Sequence, residues 1–140
     1  MMTTAERRVL ETKAIFETVT ALPQTGSKAY GLPNPKDDDR YCDPKTFKDL
    51  KDTLDKAEIP YSRKSSREGG IQLVLNEIVF NIWPVHEAYL QTYAFATDAL
   101  KGVARGNGIE WLLDKRFRVQ LFRIILATCD IKINKPGLTP

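Results

Sequence analysis

Residues 25–42 read TGSKAYGLPNPKDDDRYC, and the chemistry of that stretch orders the rest of the chain around it. Gly26 opens a turn with no side chain in the way of an approaching group, and Ser27 follows it. Residues 31–36, GLPNPK, hold one glycine and two prolines and read as loop. The acidic run Asp37-Asp38-Asp39 comes next. In an extended segment its first and third carboxylates share one face. Asp43-Pro44 then sets a helix start, an Asx cap followed by proline at the first helical position.

Working outward, residues 4–21 mix Val9, Leu10, Ile15, Phe16 and Val19 with charges, as an amphipathic helix opened by Thr3 or Thr4 would. Residues 22–25 read as a short extended approach to Gly26-Ser27. Behind Asp43, Phe47, Leu50, Leu54 and Ala57 recur at three- and four-residue spacing, predicting a helix with one apolar face. After the polar stretch SRKSSREGG the period changes to two. Residues 71–75 and 78–83 predict a hairpin turning at Asn76-Glu77, and Pro84 ends its second strand. Two helices are expected afterwards, 87–101 with Gly102 as its stop and 109–129 after the GNG at 106–108. This order predicts an α+β fold, a small mixed sheet with helices packed on it, as one domain over residues 1–133 with a flexible tail at 134–140.

Composition agrees with one ordinary core: 140 residues, 42% hydrophobic, 21 Lys and Arg against 18 Asp and Glu. A net charge of +3 permits an anionic partner without demanding one. Cys42 and Cys129 lie in no Cys/His array and read as buried free thiols, excluding a structural zinc site or a disulfide framework. No apolar run approaches the ~18 to 20 residues of a membrane span, so a cytoplasmic protein with no membrane partner is expected.

The stretch over residues 25–42 resembles the signature of the DNA polymerase beta-type nucleotidyltransferase superfamily, especially its minimal members. There a Gly-Ser turn precedes a small residue, an aromatic, a glycine, a Pro-containing loop and a strand with alternating aspartates. The resemblance is best over residues 22–42 and extends to Trp83, because a helix and a hairpin come next in the family as well. It implies a nucleotidyltransferase-like fold in which Gly26, Ser27 and Lys28 bind nucleotide, Asp37, Asp38 and Asp39 supply catalytic metal ligands, and Mg²⁺ or Mn²⁺ is the cofactor. The chemistry is coherent, since in-line attack at phosphorus builds charge that carboxylate-held cations can neutralise.

The aspartates admit two registers. Counted without gaps from the Gly-Ser turn, the motif positions fall on Asp38 and Arg40, which puts an arginine where a metal ligand belongs. A loop shorter by one residue places them on Asp37 and Asp39. The third carboxylate, expected on the second hairpin strand, maps near Asn81, which is neutral. The resemblance further implies that the Gly-Ser turn, the acidic strand and the Asn81 strand are neighbours in one sheet, backed by the Asp43-capped helix.

Other constellations are weaker. His86 reads as a cap or packing residue, and Arg63, Lys64 and Arg67 near Gly69-Gly70 as a solvated loop with some capacity to grip phosphate. In the last helix Lys115, Arg116, Arg118 and Arg123 read as a wet face, with Trp111, Phe117, Leu121, Phe122 and Ile125 mostly core. Three functional readings follow: a degenerate nucleotidyltransferase-fold protein acting as a binding or inhibitory module on a protein or nucleic-acid partner; an active minimal enzyme moving a nucleotidyl group from an NTP to an acceptor; or a small regulatory α+β protein. Missing carboxylates in the ungapped register favour the first.

Overall fold

The computed structural model describes residues 1–63 and 69–134, the last five of these as backbone. Lys64, Arg67 and residues 135–140, named above for a phosphate-gripping loop and a flexible tail, lie outside the described residues.

Helix α1 (Thr4–Thr20) is capped by Thr3, whose hydroxyl accepts from the Glu6 amide. The chain then runs through β1 (Gln24–Thr25), a five-residue helix α2 (Gly26–Tyr30), the Gly/Pro loop and β2 (Asp38–Cys42). Asp43 caps α3 (Pro44–Lys56) by accepting from the Thr46 amide at 3.0 Å. The hairpin comprises β3 (Ile71–Leu75) and β4 (Ile78–Pro84). Its turn residues Asn76 and Glu77 hold φ of +49° and +65°, the left-handed pair that matches the twist of two-residue hairpins.

The four strands form a mixed sheet in the order β1-β2-β4-β3, with β2 and β4 parallel and both outer pairs antiparallel. Asp39 stands opposite Asn81, and Thr25 opposite Asp39. The Gly-Ser turn, the acidic strand and the Asn81 strand are therefore neighbours, as expected.

Strand alternation sorts the side chains into two layers. One face carries Cys42, Ile71, Leu73, Phe80 and Ile82, covered by Ile15 and Val19 of α1 and by Phe47, Leu50 and Leu54 of α3. The other carries Tyr41 and Trp83 and meets α4 (Leu90–Val103) through Leu90 and Tyr93. A buried polar chain fastens that second layer: Thr25 and Thr97 share a hydrogen bond of 2.8 Å between hydroxyls, and the Thr97 hydroxyl donates to the Tyr93 carbonyl. Cys42 is buried, and burial with the nearby Asp43 charge pushes its thiol up to about 12, whereas Cys129 is half-buried. No described helix is long and apolar enough to cross a membrane.

The C-terminal third departs from expectation. Residues 87–89 form a 3₁₀ turn that His86 caps, its Nδ1 accepting from the Ala88 amide, and α4 passes through Gly102 to Val103. The chain kinks at 104–108, where Asn107 has φ +72°. The expected single helix over 109–129 is two, α5 (Ile109–Leu112) and α6 (Lys115–Asn134). Asp114 separates them because its carboxylate accepts from the Arg116 and Phe117 amides, starting α6 anew. That restart turns the stripe. Phe122 is buried with Leu121, Ile125 and Leu126 half-buried beside it, whereas Phe117 and Trp111 stay 40% and 68% exposed. Phe117 and Trp111 are thus corrected from core to surface.

Arg118 is only half exposed and donates from Nη1 to the carbonyls of Leu112 and Leu113, tying α6 to the end of α5. Arg118→Ser is expected to lower unfolding free energy by about 1–2 kcal/mol. Lys115→Ser and Arg116→Ser should each stay within about 0.5 kcal/mol in urea denaturation, because both side chains are exposed.

Candidate functional site

Asp38 and its neighbours Asp37 and Asp39 point to opposite sides of β2. Asp38 is 2% exposed, and Arg40 grips it twice, Nε donating to Oδ1 at 2.7 Å and Nη2 to Oδ2 at 3.1 Å. Gln24 and Lys28 add donors at 3.0 and 3.3 Å. Burial pushes the Asp38 carboxyl up, but hydrogen bonds from Arg40 and Gln24, the Arg40 charge and the Lys28 bond outweigh it and hold the group below its ordinary value. The remaining Arg40 nitrogen, Nη1, donates to the carbonyls of Thr20 and Leu22 at 2.9 and 2.8 Å. Arg40 therefore closes the carbonyl end of α1 and fixes the chain into β1. Lys28 is spent on Asp38 and does not line the cleft described next.

On the other face Asp37 and Asp39 converge on Asn81. Its Nδ2 donates to Asp37 Oδ2 at 2.9 Å and to Asp39 Oδ1 at 3.1 Å, while its Oδ1 accepts from Gln72 Nε2 at 3.2 Å. The amide thus separates two carboxylates, and Gln72 fixes which way it faces. Gly26 completes the arrangement. With φ +80° it lies so close that an added Cβ would collide with the Asp39 carboxylate. Only glycine lets the turn approach the acid that closely.

These groups floor a cleft of about 590 Å³. Gly26, Ser27 and Trp83 line it together with Lys36 of the loop and Lys115, Arg118 and Arg123 of α6. Two carboxylates thus face four cations. The cation wall is the feature that sequence reading left open, because α6 lies more than seventy residues downstream of β2. The oxygen donors here are the two carboxylates, since Asn81 turns its Nδ2 toward them and its Oδ1 toward Gln72; a hard divalent cation would take the rest of its ligands from phosphate or water. Among the described residues no group of three or more His, Cys, Asp or Glu side chains gathers to hold a metal ion. His86 and Arg63 lie outside the cleft lining. No protein-family model, curated protein or solved structure matches this chain.

Proposed function

We propose that this chain is a nucleotidyltransferase-type domain whose cleft takes a nucleoside triphosphate with Mg²⁺ or Mn²⁺, and that it works as a binding or inhibitory module. The observation that carries this reading is the meeting of Asp37 and Asp39 at the Asn81 amide, beside a glycine whose missing side chain lets the Gly-Ser turn lie against the Asp39 carboxylate. Asp37 and Asp39 are the metal-holding pair in this reading, the backbone at Gly26 and Ser27 receives phosphate, and Lys36, Lys115 and Arg123 balance the remaining charge. A bound divalent cation would neutralise phosphate oxygens. Asn81 supplies neither negative charge nor a base, which favours holding a nucleotide over turning it over. The active minimal transferase is the second reading, supported by retention of both alternate aspartates on one face.

A thermal-shift titration tests both. A ligand that binds only the native state contributes about 2.7 kcal/mol at a hundredfold excess over Kd, which moves the midpoint by roughly 2–8 °C per kcal/mol in domains of this general size. NTP with Mn²⁺ should raise the midpoint. Asp37→Asn with Asp39→Asn should abolish that rise, and Asn81→Asp should strengthen Mn²⁺ binding several-fold. Pyrophosphate release by the parent would decide for the enzyme. A nucleotide shift indifferent to all three residues would sink the cleft assignment.

A further inference from the structure

The corner between α5 and α6 carries an aromatic pair that no core cluster uses. Trp111 and Phe117 meet edge to face, ring centroids 6.2 Å apart and planes at 83°, and both rings remain open to water. Leu113, between them in sequence, is 53% exposed and continues into the cleft lining. Exposed charges of both signs stand in the same segment, Glu110 and Asp114 against Lys115, Arg116 and Arg123. Lys115 and Arg116 lie in the first turn of α6, and Arg123 follows Arg116 by seven residues, two turns along one stripe of the helix. None of the three forms an ion pair with any described carboxylate.

Unburied rings flanked by unpaired cations are a specific combination. Protein–protein interfaces take up aromatic residues and Arg but are depleted in Lys, and Lys115 stands among these cations. Planar apolar partners that bring their own negative charges satisfy both halves. We propose that this corner binds single-stranded nucleic acid, with bases stacking on Trp111 and Phe117 and phosphates neutralised by Lys115, Arg116 and Arg123. Lys115 and Arg123 also line the cleft, so the corner and the cleft share two cations. Trp111, Phe117 and Arg116 belong to the corner alone and do not line the cleft.

Trp111 is the exposed one of the chain's two tryptophans, Trp83 being 5% exposed, so intrinsic fluorescence reports the corner directly. A short oligouridylate or oligothymidylate, added in EDTA to silence any metal-dependent site, should quench emission saturably. Binding should weaken steeply as salt rises. Trp111→Ala, followed by anisotropy of a labelled oligonucleotide, should lower affinity by about 5- to 150-fold, the range of one base stacked on an aromatic. The Lys115, Arg116 and Arg123→Ser variant should reduce the slope of log K on log salt by roughly 0.7 for each phosphate that is no longer neutralised. Absence of saturable quenching overturns the proposal, as does binding that Trp111→Ala leaves unchanged or that an equal length of duplex matches. Concentration-dependent dimerisation abolished by Trp111→Ala, without oligonucleotide binding, would instead give the corner to a second copy of the chain. Quenching by anionic vesicles alone would give it to a membrane, and either result refutes the proposal.

Discussion

Gly26→Ala is expected to cost about 2–4 kcal/mol of stability and to eliminate any metal-dependent nucleotide shift. The cost has two separable sources. A residue with a Cβ held at φ +80° pays about 1–2 kcal/mol for the left-handed backbone. The new methyl also falls on the Asp39 carboxylate, which must swing away and give up the Asn81 bond, adding roughly 1–2 kcal/mol. In an Asp39→Ala background the carboxylate is gone and only the residue 39 Cβ remains, 3.2 Å from the new methyl, so mainly the backbone part should remain. Urea denaturation of the parent, the two single variants and the double variant forms a cycle, and a coupling of about 1–2 kcal/mol is expected between residues that touch. Strict additivity would show that Gly26 is needed for its backbone alone. The close approach to Asp39 would then be incidental to the site.

Such long-range approaches show where sequence reading stops. Local rules carried the α+β architecture: the Asp43-Pro44 start, the Asn76-Glu77 hairpin turn and the Phe47, Leu50 and Leu54 stripe each depend on residues within a few positions of one another. The aspartate register depends on distant partners. Alternation places Asp37 and Asp39 together, but which side they take is decided by Arg40 reaching the carbonyls of Thr20 and Leu22, 20 and 18 residues upstream. Arg40, a misfit among metal ligands in the ungapped register, faces away from Asp39 and Asn81 and closes α1. Asn81 was visible as a neutral residue, yet its bridging of two carboxylates needs the parallel pairing of β2 with β4. In the C-terminal third, an apolar run continuous through Leu113 concealed the break at Asp114, because a single cap outweighs average helix propensity at that point. Phe117 and Trp111 moved from core to surface with it.

Adjacent aspartates should therefore give opposite outcomes. Asp37→Asn or Asp39→Asn removes a half-exposed charge from a site where two carboxylates crowd one amide, and stability should stay within about 1 kcal/mol of the parent. Arg40→Met leaves the 2%-exposed Asp38 without its main counter-charge and leaves the Thr20 and Leu22 carbonyls without that donor. Breaking a buried pair from one side costs about 3–5 kcal/mol. Asp38→Asn should approach that figure, because it strands a guanidinium whose side chain is only 12% exposed. Acid should reveal the same pair. The folded Asp38 lies below its ordinary value of 3.8, so the unfolded chain takes up the proton first. Its contribution is complete above the ordinary carboxylate range and is lost as pH falls through the lowered folded value. The parent should therefore lose stability more steeply below pH 3.8 than Asp38→Asn does, in urea midpoints measured across that range. Parallel curves for the two proteins would mean that the Arg40 grip does not hold the Asp38 carboxyl below its ordinary value.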